Sequence, residues 1–283
     1  MGVYVVTGSA SGMGRQAADK LRAVGHTVIG VDVKEGDVVA DLSGVAGRRQ
    51  AADAVLAAAE GRLDGAVLAA GIGPTPGAEG ARRIFEINYG GVVDLLQAFR
   101  PALAASGNAK VVVIGSNSTT TTPSVPRRAV RALLDGDVDK AVRTVRLRGP
   151  LSAALGYAAS KIAVSQWVRR NAVTAQWAGE GIRLNVLAPG AIMTPLLEQQ
   201  LASPRESKAV NAFPVPIGGF GDPGQLADWM LFMLSDSADF LCGSVIFVDG
   251  GSDAYFRAKD WPAAVPVRRL PPYLWRFARF GRG

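Results

Sequence analysis

The stretch GYAASK places a tyrosine and a lysine four positions apart, at residues 157 and 161. On a helix, Tyr157 and Lys161 would lie one turn apart on the same face. Such a pair can exchange a proton with a hydroxyl or carbonyl oxygen if a hydrogen-bond donor lies beside it. The sequence leaves the donor open, because Ser152 and Ser160 are close by, whereas Ser116 lies 41 residues upstream of the tyrosine.

Other catalytic chemistries have few candidate residues in this chain. It contains one histidine, His26, and one cysteine, Cys242. A single cysteine excludes a disulfide framework within the chain and a cysteine-cluster metal site. No GxSxG sequence is present, which disfavours a serine nucleophile of the hydrolase type. We therefore expect proton transfer by Tyr, Lys, Asp or Glu, with no metal.

Composition and charge restrict the class of protein. The chain has 283 residues, 48% of them hydrophobic and 19% charged, so it can bury a sizeable core. Without an apolar run of ~18 residues or the pattern of a signal peptide at its start, we expect a soluble, cytoplasmic protein. The net charge is +7, and basic residues concentrate in 127–148 and 254–283. Nucleic-acid binders usually carry such charge on a folded binding face, so nucleic acid is not an expected partner.

Apolar runs, several of them ending in glycine, alternate with helical patterns along the chain. We predict strands at 3–8, 26–32, 37–42, 64–71, 110–116, 182–190 and 244–251. We predict helices at 13–24, 44–60, 79–105, 153–179 and 223–235. Nearly continuous apolar strands separated by helices indicate a parallel sheet covered on both faces. The predicted fold is a single doubly wound α/β domain of the Rossmann type, with about seven strands.

The loop TGSASGMG joins the first predicted strand to the first helix. There, Gly8 would permit a tight turn, Gly12 would let the backbone approach a dinucleotide pyrophosphate, and Gly14 would let the helix pack on the strand. An ordinary glycine-rich turn is the alternative.

Asp32 ends the second strand, eighteen residues after Gly14, where a carboxylate would accept hydrogen bonds from the adenosine ribose. It would repel a 2′-phosphate, which favours NAD over NADP although Arg15 and Lys34 are near. A carboxylate that caps a loop is the alternative role.

These motifs, followed by Asp41-Leu42, Asn88, YAASK and LAPGAIMTP, resemble the classical short-chain dehydrogenase/reductase family over residues 1 to about 256. The chain is most similar to its 3α-hydroxysteroid dehydrogenase/carbonyl reductase branch. The stretches that carry this likeness are HTVIGVDVKEGDVVADLS, LDGAVLAAGIGP, GIRLNVLAPGA and VDGGSDAYFR. The resemblance implies an NAD-dependent oxidoreductase that interconverts a secondary alcohol and a ketone.

The resemblance also implies the catalytic roles. Tyr157 would be the general acid/base, and Lys161 would lower the pKa of its phenol and hold the nicotinamide ribose. Ser116, favoured over Ser118 by its register at the end of the fifth strand, would orient the substrate oxygen. Asn88 would support a water chain behind the lysine.

A larger set of residues would contact the cofactor according to the same resemblance. The set is Gly8, Ser11, Gly12, Met13, Gly14, Asp32, Val33, Asp41, Leu42, Ala70, Gly71, Tyr157, Lys161, Pro189, Gly190, Ile192 and Thr194. One departure is LAAG at 68–71, where most members have NNAG. The missing asparagine concerns local structure more than catalysis.

Substrate identity is the least determined feature. The candidate pocket residues are Ser118, Leu151, Met193, Leu196 and Leu197. They are mostly apolar, which suits a hydrophobic substrate such as a steroid or terpenoid. The alternative function is an NAD(H)-binding regulatory or interaction protein with a weak or vestigial site.

Two segments distinguish this chain from the family pattern. Within the predicted domain 1–256, the insertion 119–150 is predicted to form two short amphipathic helices. They precede the helix predicted at 153–179, which carries Tyr157 and Lys161 and is called the catalytic helix. The insertion should cover a helix that commonly takes part in subunit contacts in the family, which favours a homodimer over a tetramer. The basic, aromatic tail 257–283 would pack on that dimer, with disorder and then membrane contact as less favoured alternatives.

Overall fold

A single parallel sheet of seven strands forms the centre of the computed structural model, which describes residues 1–261 and 265–279. The strands are β1 (Val3–Thr7), β2 (Thr27–Asp32), β3 (Val38–Val39), β4 (Gly65–Leu68), β5 (Lys110–Ile114), β6 (Arg183–Pro189) and β7 (Val245–Val248). Their order in the sheet is β3-β2-β1-β4-β5-β6-β7. The predicted fold class is therefore confirmed.

Helices connect the strands and cover both faces of the sheet. The helices are α1 (Gly12–Ala23), α2 (Val45–Ala58), α3 (Gly77–Phe85), α4 (Gly91–Ala104), α5 (Ser118–Thr121), α6 (Arg127–Leu134), α7 (Val138–Arg146), α8 (Ser152–Asn171), α9 (Pro195–Ala202), α10 (Pro204–Asn211), α11 (Pro223–Leu234), α12 (Ser252–Arg257) and α13 (Leu270–Arg279). One hydrophobic core packs α2, α4 and α8 on one face. A second core packs α1 and α11 on the other.

The order of the strands fixes where a ligand can bind. The chain proceeds outward from β1 to β3, then crosses back to β4 on the opposite side of β1. At such a reversal, the two adjoining crossovers leave on opposite faces and open a crevice at the carboxyl ends of the strands. Every residue of β4 and β5 is buried, so functional side chains must come from the loops that follow the strands.

Several predicted elements have different bounds in the structure, and three of the differences have a visible structural cause. The helix expected at 79–105 is divided by a π-helical turn, Glu86–Gly90. The helix expected at 153–179 ends at Asn171, because the chain turns back and packs Trp177 against Trp167, with ring centroids 5.7 Å apart. The third strand contains only Val38 and Val39, since its pairing with β2 extends over two residues.

The insertion contains α5, α6 and α7, with α6 and α7 separated at Asp135–Asp137. Asp137 caps α7 by accepting a hydrogen bond from the backbone of Lys140 at 2.8 Å. The apolar faces of both helices join the main core against α3 and α8, with Leu133 and Val145 fully buried. The insertion therefore forms an integral layer of the domain.

The predicted tail begins at the last residue of α12 and contains α13 over the residues that the structure describes. In α13, Tyr273, Leu274 and Trp275 each expose more than half of their surface. Residues 262–264 and 280–283, which belong to the predicted tail, lie outside the described residues. None of the described helices combines the length and apolar character needed to span a bilayer.

Candidate active site

The glycine loop after β1 has the backbone geometry of a phosphate cradle. Gly8 and Gly12 have φ values of +70° and +53°, which non-glycine residues rarely adopt. A Cβ atom at Gly14 would lie 2.2 Å from the carbonyl oxygen of Gly8, so only glycine lets α1 approach this turn. The loop therefore has three positions at which a larger residue is strained or excluded.

The N-terminus of α1 opens into this loop without a capping side chain. Ser11 is the N-cap residue, yet its side chain makes no capping hydrogen bond, and the first turn has no acidic residue. The free N–H groups and the helix dipole favour an anion there. Across the loop, the methyl group of Thr194 would lie 3.4 Å from a Cβ at Gly12. These residues fit a dinucleotide pyrophosphate.

Asp32 lies at the end of β2, where the ribose of such a cofactor would lie. Its carboxylate accepts hydrogen bonds from the backbone of Ala10 at 3.2 Å and Lys34 at 3.0 Å. The neighbouring guanidiniums are already paired, Arg22 with Asp37 at 3.2 Å and Arg15 with Asp19 at 3.7 Å. The local charge therefore offers little attraction to an additional phosphate.

The adenine side of the crevice is held by a buried arginine. Arg48 donates to the carbonyl oxygen of Leu42 at 3.1 Å and pairs with Glu86 and Asp94 at 2.9 and 2.8 Å. It thereby ties the loop after β3 to the π-helical turn and to α4. Asp41 accepts a backbone hydrogen bond from the following turn, which lowers the pKa of its carboxyl and keeps it ionised.

Asn88 lies within the π-helical turn and is fully buried. Its side-chain amide exchanges two hydrogen bonds with the backbone of Ile72, both at 2.9 Å, and donates to the hydroxyl of Ser160 at 3.4 Å. A Cβ at Gly71 would lie 3.1 Å from Oδ1 of Asn88 and 3.8 Å from Nζ of Lys161. Asn88 therefore joins the loop after β4 to the catalytic helix.

The altered LAAG segment has its own support. The backbone of Ala70 donates to the hydroxyl of Thr7 at 3.0 Å, which holds the end of β4 against the end of β1. This contact between neighbouring strands shows how the segment is held without the asparagine usual in the family.

Ser116, Tyr157 and Lys161 converge where the end of β5 faces the N-terminal half of α8. The ammonium of Lys161 donates to the carbonyl oxygen of Ile114 at 2.8 Å and lies 5.9 Å from the centre of the Tyr157 ring. Ser116 lies beside Tyr157, near enough for its hydroxyl to interact with the phenol and lower the pKa of that group. The backbone of Ser118 donates to Oγ of Ser116 at 3.1 Å. The three side chains can therefore act on one substrate oxygen.

The two serines near the tyrosine in sequence have other positions. Ser160 is fully buried, and its hydroxyl donates to the carbonyl oxygen of Tyr157 at 2.7 Å, within its own helix. Ser152 is the first residue of α8, more than one turn before the tyrosine. The residue that reaches the phenol is the distant one, Ser116.

Burial shifts the pKa values of both titratable groups. It raises the pKa of Tyr157 above its usual value, although the interaction with the hydroxyl of Ser116 acts in the opposite direction. It lowers the pKa of Lys161 to about 8. The lysine was expected to lower the pKa of the phenol, but in this arrangement desolvation dominates, and the ammonium is directed to a backbone carbonyl.

Residues after β6 form the opposite wall. A Cβ at Gly190 would lie 2.8 Å from Cα of Asp249, so glycine is needed where the loops after β6 and β7 touch. Ile192 is buried and bridges to Gly221. The backbone carbonyl oxygen of Pro189 accepts a hydrogen bond from Asn117 at 2.9 Å, which fixes this wall beside Ser116.

The predicted substrate residues have different environments. Oγ of Ser118 is buried without a hydrogen-bond partner among the described residues. Met193 and Leu196 are more than a third exposed, and Leu196 lies against Gly73 at the mouth of the crevice. Leu197 is buried, whereas Leu151 is largely exposed just before α8. Ser118, Met193 and Leu196 are therefore better placed to contact a substrate than Leu197 and Leu151.

Comparison with protein families gives two matches along the chain. A model described as short chain dehydrogenase matches residues 2–126. A model described as enoyl-(acyl carrier protein) reductase matches residues 144–253. The stretch between the two matches contains α6 and most of α7, the helical part of the insertion.

Individual relatives cover nearly the whole chain. A 3-alpha-hydroxysteroid dehydrogenase/carbonyl reductase of Comamonas testosteroni is 37% identical over 91% of this chain and 98% of the relative. A cis-4-hydroxycyclohexanecarboxylate dehydrogenase of Sinomonas cyclohexanicum is 33% identical over 89% and 96% of the two chains.

A solved structure is similar over the same extent. The crystal structure of the 3-alpha-hydroxysteroid dehydrogenase from Pseudomonas sp. B-0831, complexed with NADH, matches with a TM-score of 0.85 and 42% identity. The match covers 92% of this chain and 100% of that one. Taken with the glycine loop and the Ser-Tyr-Lys arrangement, these similarities show that the chain belongs to the short-chain dehydrogenase family of oxidoreductases.

Proposed function

We propose that this oxidoreductase uses NAD to interconvert a hydrophobic secondary alcohol and its ketone. The observation that carries the proposal is the convergence of Ser116, Tyr157 and Lys161 beside the glycine loop at one edge of the sheet. A nicotinamide dinucleotide bound in that loop would supply the acceptor or donor of hydride.

Tyr157 transfers the proton in this proposal. In ketone reduction its phenol protonates the substrate oxygen, and in alcohol oxidation the phenolate accepts the hydroxyl proton. Ser116 holds the same oxygen, and its own orientation is set by the backbone N–H of Ser118. Burial raises the pKa of the phenol, which favours the protonated form that donates in the reductive direction.

Lys161 places a buried positive charge at the site, and the described residues use only part of its hydrogen-bonding capacity. Its ammonium is buried, with one described hydrogen-bond acceptor, the carbonyl oxygen of Ile114. An ammonium has three donors, so the remaining two are free for the ribose hydroxyls of a nicotinamide cofactor. The cation also stabilises a phenolate at Tyr157 when that charge develops.

NAD is favoured over NADP by the charges around the ribose position. Asp32 offers a carboxylate at the end of β2, and Glu35 and Asp37 follow in the next loop. The guanidinium groups of Arg15 and Arg22 are engaged by Asp19 and Asp37. A 2′-phosphate would therefore meet net negative charge.

The substrate class rests on the apolar mouth of the crevice and on the relatives. Leu196 and Met193 line the entrance, and Ser118 provides one buried hydroxyl without a described partner. Two of the relatives are named as a 3-alpha-hydroxysteroid dehydrogenase and a cis-4-hydroxycyclohexanecarboxylate dehydrogenase. A cyclic secondary alcohol fits both observations.

The assembly we propose is a dimer through α11 and β7. Trp229 and Phe232 on α11 remain exposed by 42% and 47%, and Phe240 before β7 is fully exposed. Strand β7 is the edge of the sheet, with an unpaired side available to a second copy. The other common contact surface, on α8, is covered by α6 and α7.

Replacing Tyr157 with Phe should lower kcat for a cyclic secondary alcohol about 10²- to 10⁴-fold, because the proton carrier is lost while the cavity keeps its shape. NADH binding, followed by its fluorescence, should persist. Tyr255→Phe, which alters an exposed tyrosine on α12, serves as the matched control and should retain full activity.

Activity would be measured with a panel of steroids, terpenols and simple secondary alcohols. Retained activity in Tyr157→Phe would refute the mechanism. Tight NADH binding by the wild-type protein without turnover of any tested compound would instead support the regulatory alternative.

Replacing Lys161 with Met should stabilise the protein at pH 7. A pKa of about 8 in place of 10.5 corresponds to about 3 kcal/mol against the folded state, and loss of the hydrogen bond to Ile114 offsets about 1 kcal/mol of the gain. The wild-type unfolded state binds more protons between pH 8 and 10.5, so wild-type stability rises with pH in this window.

The advantage of Lys161→Met should therefore shrink from pH 8 to pH 10.5 in urea denaturation measured by tryptophan fluorescence. Lys140→Met, at an exposed site on α7, is the control and should show no such trend. A Lys161→Met protein less stable than wild type at pH 7 would contradict the burial argument.

Replacing Asp32 with Asn should shift the ratio of kcat/KM for NAD to that for NADP about ten- to hundredfold towards NADP. The change removes a negative charge that repels the 2′-phosphate and accepts ribose hydrogen bonds. Glu35→Gln removes the same charge from an exposed neighbouring position and should shift the ratio less. A wild-type preference for NADP, or equal shifts in both variants, would count against this assignment.

Replacing Phe232 with Glu should convert the dimer to a monomer in light scattering, because a charge would be buried at its centre. Leu147→Glu, which alters an 86%-exposed residue at the end of α7, should leave the mass unchanged. A wild-type tetramer, or dissociation by Leu147→Glu alone, would overturn the proposed interface.

A further inference from the structure

A large cavity lies behind the catalytic helix, between the insertion and the tail. It has a volume of about 920 Å³ and is bounded by α6, by the outer face of α8 and by the turn before α13. Five arginines line it: Arg127, Arg131, Arg170, Arg268 and Arg269. They come from three segments that are distant in sequence, so the fold itself brings the five charges together.

These arginines lack partners within the part of the chain that the structure describes. None of the five forms a salt bridge or a side-chain hydrogen bond there, although thirteen ion-paired contacts occur elsewhere. The single carboxylate that lines the cavity is Asp135. Like charges around one concavity repel each other and concentrate anions within it.

The floor of the cavity is apolar. Val125, Val130, Leu134 and Ile162 contribute aliphatic side chains to it. Hydroxyl and amide groups from Thr119, Thr122 and Gln166 complete the wall. A purely ionic ligand would leave the aliphatic floor in contact with water, whereas an apolar ligand would not engage the guanidinium groups.

We propose that this cavity binds an amphiphilic organic anion, with an aliphatic body on the floor and a phosphate, sulfate or carboxylate head among the arginines. Guanidinium groups bind such heads through charge-assisted, bidentate hydrogen bonds. The site is separate from the crevice of the proposed active site, because Ile162, Gln166 and Arg170 lie on the face of α8 turned away from Tyr157.

The test is isothermal titration of the full chain with octyl phosphate, octyl glucoside and inorganic phosphate at low ionic strength. Octyl phosphate should bind one to one, with a dissociation constant at least about tenfold below those of the other two. It alone has both an alkyl chain for the apolar floor and a phosphate for the arginines. Equal affinity for octyl glucoside or for inorganic phosphate would overturn the proposal.

Substitutions at exposed arginines locate the site without disturbing the core. Arg131→Gln and Arg170→Gln should each weaken octyl phosphate binding about tenfold, the effect of one charge-assisted hydrogen bond. Arg128→Gln is the matched control, since Arg128 is exposed on the same helix but does not line the cavity. Equal losses in all three variants, or in none, would refute the site.

The contribution of the tail is tested by replacing Arg268 and Arg269 together with Gln in the full chain, which should weaken binding at least tenfold.

Sedimentation with phosphatidylglycerol and with phosphatidylcholine vesicles then identifies the source of the anion. Binding to phosphatidylglycerol vesicles that depends on Arg131 assigns a lipid head group, and its absence beside octyl phosphate binding assigns a free amphiphile.

Discussion

The hydrogen bond from the ammonium of Lys161 to the carbonyl oxygen of Ile114 holds the candidate active site together. Ile114 is the last residue of β5, and Ser116 follows two residues later, so the bond fixes the catalytic helix beside the strand that carries the serine. The phenol of Tyr157 then meets the hydroxyl of Ser116 without any local sequence relationship between them. A charged donor in a dry setting makes this single contact strong, and it also makes burial of the lysine unfavourable unless further acceptors are supplied.

Because the hydrogen bond from Lys161 to Ile114 fixes α8 beside β5, a long insertion is tolerated between Ser116 and Tyr157. The chain leaves β5, forms α5, α6 and α7, and returns to α8 at a position set by the sheet. Loop-closure entropy rises slowly with length, and the insertion offsets that loss by burying Leu133 and Val145 in the main core. It thereby covers one face of α8 and contributes two of the five arginines that line the cavity.

The sequence predicted the elements whose signal is local. The apolar runs located the strands within a few residues, the glycine loop located α1, and strand-end register favoured Ser116. Features that depend on tertiary contacts could not be predicted from the sequence. The π-helical turn at Glu86–Gly90 has no distinctive pattern, because Arg48 and Asn88 stabilise it through partners far along the chain. The effect of burial on the pKa of Tyr157 could not be predicted either, since desolvation depends on how the finished fold surrounds the phenol.

Helix α8 uses opposite faces for different electrostatic tasks. Towards the sheet it presents Lys161, a buried cation whose pKa is lowered to about 8 because water is excluded. Towards the insertion it presents Arg170, an exposed cation that has no described partner. Both arrangements sacrifice stability, one through desolvation and the other through repulsion among arginines. An anion or a polar ligand would relieve each of them, so ligand binding at either place would stabilise the folded state.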